Sequence, residues 1–129
     1  MRISLLTILC AVLLCAGCFP GGGKQRKLPG GFRLEQWEDG TTYYLHRRGH
    51  DDSKEGGSII GGTVVRIGWS TRYILAQRYS IFRGDRDGWM IIDVQSGSIT
   101  GPFTDAQLQT RPEATGITTF PVAEAWRRL

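Results

Sequence analysis

With 129 residues, 40% of them apolar and 22% charged, the chain has room for one small globular domain and no second core. Eighteen Gly and 5 Pro without a collagen period, and a single long apolar run at the start, exclude a fibrous chain, wholesale disorder and a polytopic membrane protein. Sixteen Lys and Arg against 12 Asp and Glu give a formal charge of +4, scattered along the chain, which makes nucleic acid no expected partner.

Met1-Arg2 is a short positive start, and residues 3–16 form an apolar stretch of signal-peptide length. A bilayer span takes about 20 apolar residues. This run stops short of that, and Pro20-Gly21-Gly22-Gly23 would end any helix, so removal of the segment is expected. All three cysteines (Cys10, Cys15 and Cys18) lie here, so the folded part forms no internal disulfide.

The residues Leu14-Cys15-Ala16-Gly17-Cys18 resemble the lipobox of bacterial lipoprotein precursors. The match covers Ala16, Gly17 and Cys18, with Cys15 where that family usually has leucine. The resemblance implies that the chain is cut between Gly17 and Cys18 and that the Cys18 thiol carries a covalent lipid as membrane anchor, with no other cofactor. Phe19 after the cysteine, where Asp would favour the inner membrane, implies an outer-membrane protein facing the periplasm in a Gram-negative host. Two or more acyl chains would hold such a protein stably.

Three regions follow: a signal peptide over 1–17, a lipidated cysteine with a flexible Gly-rich and basic tether over 18–31, and a small β-rich domain over 32–129. Losing 17 of 129 residues leaves 112, and losing Arg2 leaves 15 basic residues against 12 acidic ones, or +3. Lys24, Arg26 and Lys27 in the tether are either drawn to anionic headgroups, at about 1 kcal/mol each, or form an ordinary solvated cluster.

The domain reads as mainly β: a curled antiparallel meander of about five to seven strands with a short C-terminal helix. Residues 32–38 and 41–47 flank Asp39-Gly40, a hairpin signal of type I′. That register pairs Gln36 with Tyr43 and Leu34 with Leu45 on an apolar face. Glu35 then meets Tyr44 and Arg33 meets His46 on a more polar one. After a polar loop, residues 63–69 and 72–78 form a second hairpin about Ser70-Thr71, and residues 89–94 and 99–100 a third about Ser96-Gly97. Thr104-Asp105-Ala106-Gln107 has capping-box spacing. Pro121 suits the first position of a C-terminal helix whose Val122, Ala125, Trp126 and Leu129 share one face. The stretch from Ile67 to Phe103, with Trp69, Trp89-Met90-Ile91-Ile92-Asp93 and Gly101-Pro102-Phe103, is similar to the C-terminal part of short uncharacterised bacterial lipoproteins. It also resembles one propeller blade, although no repeat is present to close a propeller.

Few residues suggest chemistry. His46, His50, Asp51 and Asp52 are neighbours on a loop without the rigid shell a selective site needs, so no metal is expected. A serine triad would have to join Ser70 or Ser80 with His46 and Asp93, and no Gly-x-Ser-x-Gly elbow is present. Arg83-Gly84-Asp85 and Asp85-Arg86-Asp87-Gly88 spell fragments of an integrin tripeptide and a calcium loop, and turn chemistry accounts for both. Arg33, Trp37 and Tyr44 share the polar face of the first hairpin, where they either stack on a glycan or a protein of the envelope or lie under the C-terminal helix.

These readings lead to a lipid-anchored cell-envelope protein, a non-enzymatic binding or structural accessory module. The alternatives are a periplasmic inhibitor of a hydrolase such as a lysozyme, disfavoured by the basic balance against a basic target, and a hydrolase, for which no constellation is present.

Overall fold

The computed structural model describes residues 24–47, 58–80, 84 and 86–129. The expected signal peptide over 1–17, the expected lipidation site Cys18, the loop with His50, Asp51 and Asp52, and Arg83 and Asp85 lie outside the described residues.

Nine strands are described: β1 Lys24–Lys27, β2 Phe32–Gln36, β3 Tyr43–Arg47, β4 Ser58–Ile60, β5 Val64–Trp69, β6 Tyr73–Arg78, β7 Gly88–Asp93, β8 Ile99–Phe103 and β9 Thr119–Pro121. Helix α1 (Asp105–Gln109) precedes β9 and α2 (Val122–Arg128) follows it. The mainly β class with a short C-terminal helix is as the sequence reads. The single curled meander is not: the strands divide into two antiparallel sheets, β1-β2-β3-β4 and β8-β7-β6-β5-β9. Dividing them lets the apolar face of the first hairpin, with Phe32, Leu34, Tyr43 and Leu45, share one core with Val64, Ile67, Ile74, Ala76 and Ile92. One open sheet would leave such a face in water.

Residues 24–31 are also more than tether. Lys24-Gln25-Arg26-Lys27 pairs along β2, from Lys24 opposite Gln36 to Lys27 opposite Arg33. A 3-10 turn over Pro29–Gly31 then leads into β2. Leu28, between them, is buried in the core, and its amide donates to the Phe32 carbonyl at 2.8 Å. The strand is invisible to a hydrophobic pattern because all four of its residues are exposed.

The first hairpin has the expected register and a different turn. The Gly40 amide donates to the Trp37 carbonyl at 3.0 Å, so the reversal runs over residues 37–40, and the type I′ turn centred on Asp39-Gly40 is not formed. Asp39 selects this form, because its Oδ1 accepts the amides of Thr41 (2.9 Å) and Thr42 (2.8 Å). Gly40, at φ 71, takes the left-handed conformation that follows. The other two hairpins close where expected. Ser70 Oγ accepts the amides of Arg72 and Tyr73, and Asp93 Oδ1 accepts those of Gln95 and Ser96.

Strands β6 and β7 are buried on both faces, which explains their unbroken apolar runs. Alternate residues face the shared core, while Leu75, Trp89 and Ile91 pack with Leu108 of α1 on the outer side. The capping box forms as read: the Gln107 amide donates to Thr104 Oγ1 at 3.1 Å and the Thr104 amide to Gln107 Oε1 at 2.9 Å. Pro121 sits one step earlier than expected, as the cap residue of α2, since it also ends β9 opposite Arg66. Val122, Ala125 and Trp126 are buried on the stripe the sequence marks out. The chain entering β9 passes so near β5 that a Cβ on Gly68 would collide with the Thr118 carbonyl oxygen, which is why a glycine interrupts that strand.

The chain crosses between sheets at Gly61-Gly62-Thr63. Thr63 exchanges two backbone hydrogen bonds with Tyr79, each 3.0 Å, and its Oγ1 accepts the Tyr43 amide at 2.9 Å. Thr63→Val keeps the shape and removes that acceptor. It is expected to cost about 1–3 kcal/mol in urea denaturation, with Thr63→Ser retaining most of the stability.

Candidate functional site

Alternation along β2 and β3 places one set of side chains in the core and the other on the outer face of the first sheet. The observed register sets Arg33 opposite His46 and Glu35 opposite Tyr44. Strand β1 extends the rows, with Gln25 opposite Glu35 and Lys27 opposite Arg33. Arg33, Trp37 and Tyr44 thus lie on one face, as the alternation implies. Trp37 is 44% exposed, and its ring meets that of the half-buried Tyr44 edge-on, with centroids 6.0 Å apart.

Helix α2 does not cover this face. Its Trp126 packs edge-on against Tyr43, at 5.9 Å, on the opposite side of β3. Gly62 supports Tyr44 from the link between sheets, since a Cβ there would stand 2.9 Å from Thr42 Cγ2 and 3.1 Å from the Tyr44 ring.

The face also holds a buried polar pair. Glu35 and His46 are each only 6% exposed, and His46 Nε2 lies 2.9 Å from Glu35 Oε2. The same carboxylate oxygen accepts from Gln25 Nε2 at 3.0 Å, and Gln25 Oε1 accepts from Arg33 Nη1 at 2.9 Å. Arg33 and Glu35 are therefore held in place through an amide from β1. Burial, followed by the Asp39 and Glu35 carboxylates, raises the Tyr44 pKa above its ordinary value, so the phenol stays protonated at neutral pH and can donate. A cation, a phenol and an exposed indole on one face can stack on and hydrogen-bond to a polar surface.

The other candidate residues are not gathered into a centre. The Ser70 hydroxyl and the Asp93 carboxylate bond the amides of their own turns, while His46 faces Glu35. Asp87 Oδ1 accepts the Ser80 amide at 2.6 Å, closing its loop. Among the described residues no three His, Cys, Asp or Glu stand close enough to hold a metal ion. A groove of about 530 Å³ lies on the outer side of the second sheet, lined by Gln77, Tyr79, Trp89, Phe103 and Gln107 among others. Its Trp89 indole donates to Asp105 Oδ1 at 2.6 Å and its Arg78 to the Arg86 carbonyl at 2.7 Å, so much of its polar lining is already bonded within the fold.

Reading the sequence leaves out Gln25 and Gly62. Gln25 stands in a run that looks like linker, and its only signal is its spacing from Lys27, which becomes informative once β1 is paired.

The pattern of one family, described as Protein of unknown function (DUF3997), matches residues 29–121. That span runs from the 3-10 turn to the end of β9 and includes Arg33, Trp37 and Tyr44, while β1 and α2 fall outside it. No curated protein and no solved structure matches the chain.

Two outcomes are expected. Glu35→Leu removes the acceptor of the Gln25 amide and the carboxylate beside His46 Nε2, and should destabilise by about 1–3 kcal/mol. Adding His46→Leu should then cost less than its own single effect, which a double-mutant cycle in urea reads directly. The second concerns pH. The Asp39 carboxyl is held below the ordinary carboxylate range, chiefly by the Thr42 hydroxyl, and that of Asp93 chiefly by the Ser96 amide. Depressed values mean that the unfolded chain binds more protons, so the turns contribute stability at neutral pH and lose it as pH falls through the native values. NMR titration should place both carboxyls below an unfolded-peptide reference, with the Thr42 and Ser96 amides shifting in step.

Proposed function

The chain belongs to the DUF3997 family of proteins of unknown function, and from its residues we propose that it is a lipid-anchored cell-envelope protein whose β domain is a non-enzymatic binding module. The anchor is the thioether lipid on Cys18 after cleavage behind Gly17, and the domain faces the periplasm from the outer membrane where the host has one. The partner is an envelope protein or glycan.

The observation that carries the binding reading is the exposed Trp37, set edge-on to Tyr44 on the face that carries Arg33. Aromatic residues and arginine are the side chains that most often supply binding energy, the aromatics because they bury large area with few rotors to freeze and arginine through its planar fork of donors. Beneath them, Glu35 and His46 are enclosed, with His46 Nε2 2.9 Å from Glu35 Oε2 and Gln25 bonded to the same carboxylate, which suits a rigid platform. The lipobox resemblance supports the anchor, and the first strand begins at Lys24, six residues beyond Cys18, so the platform stays close to the bilayer.

Replacing Cys18 with Ser should move the protein from membrane to soluble fractions and abolish an acyl adduct in the intact mass. Unchanged membrane association would refute anchoring there. In intact cells, a photo-crosslinker placed beside Trp37 should capture an envelope component, and Tyr44→Ala should weaken that association by about 2 kcal/mol. Equal capture from a probe on the far side of the domain would refute this face as the binding surface.

A further inference from the structure

Strand β1 is the outer edge of the first sheet, and three of its four residues are cations. All four side chains are exposed. Lys24 and Arg26 alternate with Gln25 and Lys27, so positive charge fans to both sides of the edge. The Arg26 guanidinium lies 5.0 Å from the centroid of the Trp126 ring, which ties the strand to the last turn of α2. There the exposed Arg127 follows directly. Among the described residues, Lys24, Arg26, Lys27 and Arg127 form no ion pair; the pairs join His46 with Glu35, Arg111 with Glu113 and Arg128 with Glu124.

We propose that this edge, formed by β1 and the end of α2, is a membrane-docking surface that rests on anionic lipid headgroups and orients the domain on the bilayer. The inference deepens the anchor reading and rests on it. Six residues from Cys18 to Lys24 reach at most about 22 Å. An acyl group on Cys18 therefore keeps β1 near the surface, where each cation strengthens partition onto anionic lipid by about fivefold. Edge lysines also discourage pairing with another sheet. That service needs no lipid and predicts no dependence on headgroup charge, so the two roles separate by experiment.

The test uses the lipid-bearing protein purified from its host's membranes and placed in vesicles of phosphatidylcholine, with or without phosphatidylglycerol. Amine acetylation at Lys24 and Lys27 is followed by peptide mass spectrometry. Docking predicts labelling about fivefold slower on the anionic vesicles, with the difference gone at about 1 M salt, where the screening length falls to about 3 Å. Arg26→Gln combined with Arg127→Gln should shrink that protection while the acylated mass stays the same. Equal rates on both vesicles, or protection that survives high salt, would overturn the proposal and leave β1 as an edge guard. If the intact mass carries no acyl group, the anchor reading fails by itself. The same protein mixed with preformed vesicles then decides: sedimentation with the anionic vesicles alone supports the docking edge, and sedimentation with neither sinks it.

Discussion

Where the chain leaves the first sheet for the second, Thr63 exchanges two backbone hydrogen bonds with Tyr79 while its hydroxyl oxygen accepts the Tyr43 amide, so one residue is bonded into both sheets. A sandwich core needs its two inner faces held at a set distance and angle, because side chains from both must interdigitate. Thr63 supplies that constraint at the point of crossing. Gly62, just before it, admits the Tyr44 ring where a side chain would collide. Phe32, Leu34 and Leu45 on one side and Ile67, Ile74 and Ile92 on the other then close over a single core, with Trp126 of α2 joining it.

The two outer faces differ in what packs on them among the described residues. Leu108 of α1, together with Ala114 and Ile117, packs over Leu75, Trp89 and Ile91, which makes the second sheet apolar on both sides. The outer face of the first sheet instead carries Arg33, Trp37 and Tyr44 above a buried carboxylate and imidazole. Polar groups withdrawn from water must be bonded to one another. Gln25 on β1 meets that need, receiving from Arg33 and donating to Glu35. The edge strand therefore does two things at once: it completes the platform's internal bonding on one side and presents cations outward.

Legibility of the candidate face depended on the range of the signal. Alternation within β2 and β3 was enough to group Arg33, Trp37 and Tyr44, and the pairing of Leu34 with Leu45 set the register despite a turn of another type. The turn was misread because an Asx hydrogen-bond pattern at Asp39 competed with the Asp-Gly preference and won, while the strand pairing beyond it stayed the same. The burial of Glu35 and His46 was not legible. On a half-exposed face their residue types read as solvated, and Gln25, which bonds Glu35, lies on a strand that the hydrophobic pattern does not show.

By itself, the sequence determined what lies within a few residues: the three hairpins, the capping box at Thr104, the apolar stripe of α2 and hence the mainly β class. These follow from local backbone preference and side-chain periodicity, which act whatever the rest of the chain does. Only the tertiary structure decided that the strands part into two sheets, that the polar run from Lys24 to Lys27 is a strand, and that β9 returns across more than forty residues to pair with β5 at Gly68. Those choices turn on which distant surface can cover an apolar face and satisfy an open strand edge. That is a property of the assembled whole, and no short window of residues carries it.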